Sequence, residues 1–353
     1  MRKRKNNKLI LFVILGVIIL CGIGIGVYFV IDNNKKIPDK KENANEEVKE
    51  ETKEEKKVSI IDVDSDTRPY AVMINCHNGA LPQAGLDKAY IVYELMVEGG
   101  ITRMMALFKD TNVDKIGSVR SARTQYLDYV YENDAIYGHA GGAEDALKRI
   151  SSEGINDVDV DGQYGFRDTS LNRAWEHKLF TSTKLLGEGA SNRSYRTTTE
   201  VKSLLKYSAE EIDLSILDGS SAASNISIRY SDYRTSNYIY DSENKVYLRS
   251  MNDTKNVDLV TGEQYKVKNI IIYGVNYSNY CDHGYCAYQK IDNVGSGEGY
   301  YVSNGYSIPI TWSKSSKNDK TIYKIKFSGE ELVVNDGNTY IQIYPTSGNL
   351  SIN

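Results

Sequence analysis

The sequence predicts an α+β or α/β layered N-terminal domain and then a mainly antiparallel β domain, behind a single N-terminal transmembrane helix. Three observations carry this prediction. An uncharged apolar run opens the chain, strand-like and helix-like apolar segments alternate from about Val58, and from Ile226 onward strand follows strand. At 353 residues the chain is long enough for two globular units. We place the first at 58–200 and the second at 201–353.

The membrane anchor is predicted at Leu9–Ile31, a run of 23 residues without a charge. As a helix it would be about 34 Å long, enough to cross a hydrocarbon core of about 30 Å. The basic segment 1–8 places the N-terminus in the cytoplasm and the bulk of the chain outside the cell membrane. Cys21 leaves a second interpretation, a lipoprotein acylated on this cysteine after cleavage. The bulky Leu20 before it favours an uncleaved signal-anchor helix.

Residues 32–57 are predicted to form a disordered charged linker. They are mostly Lys, Glu, Asn and Asp, and cannot bury enough apolar surface to offset their conformational entropy. The formal net charge is −4, and because segment 1–8 is basic, the rest of the chain is more acidic than this total. Such a chain lacks the basic face that nucleic-acid binding requires, so we expect no nucleic-acid partner.

In the first unit, apolar runs of strand length alternate with segments of helical spacing. Gly99-Gly100 between two such runs predicts a β-hairpin. Residues 188–199 are polar and predict a loop. The predicted elements are strands at Tyr70–Asn75, Ala89–Val97, Thr102–Phe108, Lys115–Val119 and Asp134–His139, and helices at Ser121–Glu132 and Ala143–Ser152.

The second unit is predicted to be a β-sandwich or small barrel, because its strands follow at short, regular spacing. A short helix at Val201–Tyr207 is predicted to precede them. No catalytic triad or metal quartet is visible in the pattern, so this unit could also serve purely as a protein-interaction module. The predicted strands are Ser227–Tyr233, Asn237–Asp241, Lys245–Ser250, Val267–Tyr273, Tyr300–Asn304, Ser307–Trp312, Ile322–Phe327 and Thr339–Tyr344.

Cys281 and Cys286 frame the short sequence CDHGYC. In an oxidising compartment outside the membrane, this spacing allows a small disulfide loop. A metal site that includes His283 is the alternative, but three ligands within six residues do not make a complete tetrahedral set. A disulfide or free thiols are therefore favoured, and we expect no metal and no cofactor.

Several blocks of this sequence occur in the same order in a known family. RPYAVMIN, LPQAGLDKAYIVYELMVEGGITRMMALF, KIGSVRSAR and DAIYGHAGG resemble the N-terminal domain of the YerB-like family of bacterial proteins, which are named as lipoproteins and have no known function. YIYDSENKVYLRS, VDLVTGEQYKVKNIIIY, GSGEGYYVSNGYSIPITWSK and NDGNTYIQIYP resemble its C-terminal domain. The resemblance covers Thr67–Ile352 and implies a two-domain, membrane-attached envelope protein. Cys76 and Tyr90 depart from the family pattern.

The candidate ligand site is a group of arginines at predicted strand ends: Arg103, Arg120 and Arg123. Ligands of open α/β sheets collect at such ends, and arginine presents a planar fork of donors to phosphate or carboxylate. Ser118 lies in the same turn, which leads into a helix N-terminus, and His139 precedes a Gly-Gly pair that could form an anion-binding nest. The group predicts an anion-binding site for a wall polymer or a partner protein.

Two alternatives to a binding site are considered for these arginines. They could form structural salt bridges with Glu94, Glu98 and Asp134. The order strand, Ser-x-x-Arg turn, helix, strand, Gly-Gly, helix also resembles the LytR-CpsA-Psr phosphotransferases. That resemblance implies that the arginines hold a polyprenyl pyrophosphate-linked glycopolymer and that a divalent cation assists. Tyr90 stands where that family has an aspartate, although Asp87 is close.

Other polar groups point less directly to chemistry. Cys76 and His77 are adjacent in an extended segment, so their side chains should face opposite sides and not form a nucleophile–base pair. Asp157, Asp159 and Asp161 alternate, but the calcium-loop pattern is incomplete, which favours a solvated face. The segment 173–177 is expected to line a cleft or to stabilise a loop. The leading hypothesis is a non-catalytic envelope protein that binds an anionic ligand.

Overall fold

The computed structural model describes residues 56–282 and 284–353. The predicted cytoplasmic segment, the anchor with Cys21 and the linker up to residue 55 lie outside the described residues. Within the described ranges, no helix is long and apolar enough to cross a membrane. Residues 55–353 form one compact unit.

The described chain is mostly β. Its three α-helices are α1 (Thr124–Glu132), α2 (Glu144–Glu153) and α3 (Thr183–Asn192). Short 3-10 helices lie at Asn78–Ala80, Leu86–Lys88, Glu98–Gly100, Trp175–His177 and Leu214–Ile216. The strands are β1 (Tyr70–Asn75), β2 (Ile91–Met96), β3 (Thr102–Phe108), β4 (Ile116–Gly117), β5 (Ile136–His139), β6 (Asp157–Asp159), β7 (Phe166–Arg167), β8 (Leu179–Thr181), β9 (Lys206–Ser208), β10 (Ser221–Ala222), β11 (Asn225–Arg229), β12 (Thr235–Asp241), β13 (Val246–Met251), β14 (Thr254–Lys255), β15 (Lys266–Val267), β16 (Asn269–Val275), β17 (Tyr277–Asp282), β18 (Tyr285–Ile291), β19 (Gly295–Ser303), β20 (Tyr306–Lys314), β21 (Ile322–Ile325), β22 (Val333–Asn335), β23 (Thr339–Pro345) and β24 (Asn349–Ile352).

The largest sheet has eleven strands and contains strands from both predicted units. Its order is β10-β20-β19-β16-β23-β2-β3-β1-β5-β6, with β21 paired to β20. The predicted hairpin is confirmed as the antiparallel pair β2–β3. Near the C-terminus, β23 lies between β2 and β16 and runs parallel to both. The central sheet therefore contains strands from both sides of the domain boundary predicted between residues 200 and 201. The division into two domains at that position stays a prediction.

A second, six-stranded sheet lies on one face of this central sheet and the helices α1 and α2 on the other. Because strand side chains alternate, β1 contributes to both cores. Val72 and Ile74 belong to the same buried cluster as residues of α3 and of β11 to β13, whereas Ala71 and Met73 belong to the cluster that contains residues of α1 and α2. The second half of the chain is thus not the self-contained sandwich or barrel that its pattern predicts. Its strands divide between the two sheets because both offer apolar faces to cover.

The largest local error concerns α3. The Gly- and Ser-rich segment 188–199 is predicted as a loop, but α3 extends to Asn192. Ser182 caps the helix by accepting a hydrogen bond from the Leu185 amide at 3.1 Å. Gly189 allows close approach to the sheet, since a Cβ there would lie 2.6 Å from Val158 Cγ1. The helix predicted at 201–207 is wrong as well, because β9 pairs with β22 there.

Two buried ion pairs join the two halves of the chain. Glu94 on β2 and Arg249 on β13 are 2.9 Å apart, with both side chains fully buried. Lys314 on β20 and Glu132 at the end of α1 are 2.8 Å apart and also buried. Tyr93 donates a further 2.6 Å hydrogen bond to Glu132. A buried charge that loses its partner is strongly destabilising, so these pairs fix how the layers meet.

Candidate functional site

The candidate site lies where β1 and β5 separate. These strands are parallel neighbours along their first residues. Beyond that, residues 118–123, here named the wedge segment, run between them. The Arg120 amide donates to the Met73 carbonyl at 3.0 Å, and the Ala140 amide donates to the Arg120 carbonyl at 3.1 Å. The wedge segment thus fills the gap between the carboxyl ends of two parallel strands, the position where open α/β sheets bind ligands. We name the surface around its half-buried Arg120 the Arg120 crevice.

A single carboxylate, that of Glu98, forms ion pairs with two of the three predicted arginines. Arg103 Nη2 donates to Glu98 Oε1 at 3.1 Å, and Arg123 Nε donates to Glu98 Oε2 at 2.8 Å. Burial favours a raised pKa for Glu98, but the hydrogen bond from Arg123 and the charges of both arginines lower the pKa below its ordinary value. Burial, with the charge of Arg123, lowers the pKa of Arg103 to about 10. The predicted salt bridge to Glu98 therefore exists, and it engages two arginines at once.

The other two carboxylates of that expectation have different partners. Glu94 pairs with Arg249, and Asp134 pairs with Arg196 and, at 3.5 Å, with Arg68. Neither contacts an arginine of the predicted group. Sequence spacing could not predict these ion pairs, because the two residues of each pair are far apart in the sequence.

Arg120 differs from the other two arginines. Its side chain is half-buried at the crevice, and within residues 56–282 and 284–353 its guanidinium makes no hydrogen bond or ion pair. Burial lowers the pKa of His177, and the charges of His77, Arg120 and Arg173 lower it further. The charge of Glu176 opposes this shift, so basic and acidic side chains both lie near His177. Among them, the guanidinium fork of Arg120 is available for an anion.

Two histidines and an asparagine pack together at the end of β1, near Arg120. Asn75 Nδ2 and His177 Nδ1 are 3.0 Å apart, and the rings of His77 and His177 stack with centroids 5.0 Å apart. The Gly79 amide donates to His77 Nδ1 at 3.1 Å, so the proton of a neutral His77 resides on the other nitrogen. His77 is exposed and His177 is buried. The exposed ring of His77 therefore offers an N–H donor at this end of the sheet.

The expected separation of Cys76 from His77 is confirmed. Cys76 is fully buried, while His77 is exposed. Burial and the nearby charge of Glu94 raise the pKa of the Cys76 thiol to about 12. A thiol in that state is not a nucleophile at neutral pH.

Ser118 and His139 are both buried, so neither presents its polar atoms at the surface around Arg120. His139 Nε2 lies 3.1 Å from Asp157 Oδ2, and its Nδ1 lies 2.9 Å from the Gly141 carbonyl. The Gly141 amide, the expected nest donor, is bonded to Asp159 at 3.2 Å. The Oγ of Ser118 has no hydrogen-bond partner in the described part of the chain. In the same part, no group of three or more His, Cys, Asp or Glu residues is placed to hold a metal ion.

The segment 173–177 is fixed against the end of β1. Arg173 donates to the carbonyls of Ala80 at 2.8 Å and Pro82 at 3.0 Å. The Trp175 ring lies 4.7 Å from the guanidinium of Arg167, and Trp175 remains 63% exposed. The bonds from Arg173 confirm the expectation that the segment stabilises a loop, namely the one that follows β1. The expectation that it lines a cleft stays a prediction.

Sequence reasoning missed Arg234, a second arginine at the end of β1. Arg234 Nη2 donates to the Cys76 carbonyl at 2.7 Å, and the residue is 2% exposed. Its Nε and Nη1 have no hydrogen-bond partner among the described residues. Burial lowers its pKa below the ordinary value. No signal near Arg234 in the sequence connects it with β1, because the contact forms only when the two sheets pack.

Cys281 and Cys286 are joined by a disulfide with an S–S distance of 2.01 Å. It closes the hairpin β17–β18, here named the disulfide arm, whose two strands the sequence reasoning did not predict. The ring of Tyr288 on this arm lies 5.5 Å from the guanidinium of Arg123. His283, the third residue of the alternative metal set, lies outside the described residues. The disulfide arm thus contacts the Glu98 cluster through Arg123.

The described residues thus form a β-rich protein in which the N-terminal and C-terminal halves of the chain share one large sheet. A family described as "Protein of unknown function (DUF3048) N-terminal domain" matches residues 58–196, and the C-terminal domain of the same family matches residues 226–341. The chain belongs to this family, and the resemblance seen in the sequence is confirmed.

Two relatives support the assignment. The chain is 29% identical over 290 residues to "Putative lipoprotein YerB" of Bacillus subtilis (strain 168), covering 80% of this chain and 82% of the relative. It is also similar to the crystal structure of YerB protein from Bacillus subtilis, with a TM-score of 0.68 and 26% identity. That match covers 81% of this chain and 94% of the other. Neither description assigns an activity.

Proposed function

We propose that this protein is a membrane-attached protein of the cell envelope that binds an anionic, phosphate-containing wall ligand at Arg120. The membrane attachment draws on the apolar run at 9–31, the basic segment before it and the description of the Bacillus relative as a lipoprotein. The disulfide arm fits an oxidising compartment outside the membrane.

The single observation that carries ligand binding is the difference among the three arginines. Glu98 neutralises Arg103 and Arg123, whereas Arg120 makes no ion pair in the described ranges. An arginine in a partly buried crevice is desolvated in part, so an anion that reaches it gains a charge-assisted, bidentate contact. The exposed ring of His77, at the same end of β1, supplies a further donor.

The test is binding of inorganic pyrophosphate and of isolated wall polymer to the full-length chain in lipid nanodiscs, by isothermal titration calorimetry. Arg120→Ala should weaken binding at least about tenfold, the usual scale of one lost charge-assisted contact. Arg229→Ala is the matched control, because Arg229 is exposed on β11 and pairs with Asp232 at 2.5 Å. Equal binding by Arg120→Ala and the unaltered chain would refute the proposal.

The phosphotransferase and the pure interaction module stay predictions without a specific observation in their favour. The transferase would use the arginine group to hold a pyrophosphate, but two of its members bind Glu98. Transfer of a labelled glycopolymer in the presence of a divalent cation would distinguish an enzyme from a binding protein.

A further inference from the structure

Trp175 is an exposed aromatic side chain that is nevertheless held in place. One face of the indole lies on Arg167 at 4.7 Å, and Arg167 Nη1 also donates to the Trp175 carbonyl at 3.0 Å. Arg167 in turn pairs with Asp161 at 2.6 Å. With 63% of its surface exposed, Trp175 contributes little to any core. A rigid, exposed indole has lost its rotamer freedom in advance, which favours stacking of a ligand.

The position of this indole ties it to the Arg120 crevice. Trp175 belongs to the same 3-10 turn as His177, which contacts Asn75 and stacks on His77. Between them is Glu176, an exposed carboxylate whose low pKa comes first from a backbone hydrogen bond and then from the nearby charges of His177 and Arg120. Because Glu176 directly follows Trp175 in this turn, the indole, this carboxylate and the Arg120 guanidinium lie in one region at the end of β1.

We infer that the ligand is a phosphorylated saccharide, with a sugar ring stacked on Trp175 while its phosphate binds Arg120. The C–H face of a pyranose is apolar and matches the exposed indole face, whereas its hydroxyls can donate to Glu176. This inference rests on the proposed function, because it assigns the remainder of the ligand whose phosphate Arg120 holds. It names the ligand class by chemistry: sugar and phosphate on one molecule.

The protein contains its own reporter for this inference. It has two tryptophans, and the other, Trp312, is 5% exposed in the core. A change in tryptophan emission when a ligand is added therefore reports mainly on Trp175. The probes are glucose 1-phosphate, glucose and inorganic phosphate, titrated into the full-length chain in nanodiscs, with calorimetry giving the affinities.

We expect glucose 1-phosphate to quench the emission and to bind about three- to tenfold more tightly than inorganic phosphate, the scale of one stacking contact. Trp175→Ala should reduce its affinity to that of inorganic phosphate and leave inorganic phosphate binding unchanged. Trp175→Tyr should restore most of the difference. Because Trp175 is exposed, these variants should keep the melting temperature of the unaltered chain.

The two proposals fail in different ways. If Trp175→Ala binds glucose 1-phosphate as tightly as the unaltered chain, or if this probe binds no better than inorganic phosphate, the saccharide inference is overturned. The proposed anion site would survive that result as long as Arg120→Ala still weakens phosphate binding. If Arg120→Ala binds inorganic phosphate and glucose 1-phosphate as tightly as the unaltered chain does, both proposals are refuted.

Discussion

The carboxylate of Glu94 and the guanidinium of Arg249 form an ion pair of 2.9 Å in which neither side chain has any exposed surface. Thr102 Oγ1 donates to Glu94 at 2.7 Å, and Ser236 Oγ donates at 3.0 Å. The pair therefore joins the central sheet to the second sheet through a carboxylate whose hydrogen bonds come from both sequence halves.

We predict that Arg249→Met lowers the free energy of unfolding by about 3–5 kcal/mol, because it leaves the Glu94 charge buried without a partner. The double variant Glu94→Leu/Arg249→Met should recover much of this loss, since no isolated charge remains. Urea unfolding followed by circular dichroism measures both. Additive losses in the double variant would contradict the role of the pair.

The two sequence halves should not fold separately. Because β23 completes the central sheet between β2 and β16, a fragment of residues 56–200 would expose the open edge of β2. It would also bury Glu132 without Lys314, or leave the end of α1 unfolded. We expect the fragments 56–200 and 201–353 to show no cooperative melting alone and to regain it on mixing. A cooperative thermal transition in either isolated fragment would disprove this.

Glu98 should make stability depend on acid pH. Its pKa in the folded state is lowered from the ordinary 4.5, so its stabilising contribution is present above that value and is lost as pH falls through the folded pKa. Glu98→Gln removes this titration. We therefore expect the stability difference between the unaltered chain and Glu98→Gln to be largest near pH 7 and to shrink below pH 4.5, measured by urea unfolding. A difference independent of pH would rule out the Arg103–Glu98–Arg123 cluster as its source.

Cys76 should be inert in the folded protein. Burial raises the pKa of its thiol to about 12, and it has no exposed surface. At pH 8, iodoacetamide should leave the peptide that contains Cys76 unlabelled in buffer and should label it in urea, as mass spectrometry can determine. Labelling of Cys76 at equal rates in both conditions would show that the packing around β1 opens readily.

Features that depend on neighbouring residues could be predicted from the sequence. Alternation and the Gly99-Gly100 turn predict β2 and β3, and helical spacing predicts α1 and α2, because such patterns act over a few residues. The arginine group was also visible, since its members lie at strand ends. Glycine and serine misled the prediction at α3, where packing of Gly189 on Val158 outweighs weak helix propensity.

The sequence by itself determined the β-rich character of the second half of the chain, the two blocks of family resemblance and the identity of the candidate arginines. Only the tertiary structure decided that β23 completes a sheet begun some 250 residues earlier, and that Glu98 occupies Arg103 and Arg123 while Arg120 stays available. It also decided that the turn that contains Trp175 packs against the end of β1, next to the wedge segment. The reason is physical: local periodicity specifies an element, but which distant carboxylate or strand meets it depends on how whole layers bury their apolar faces together.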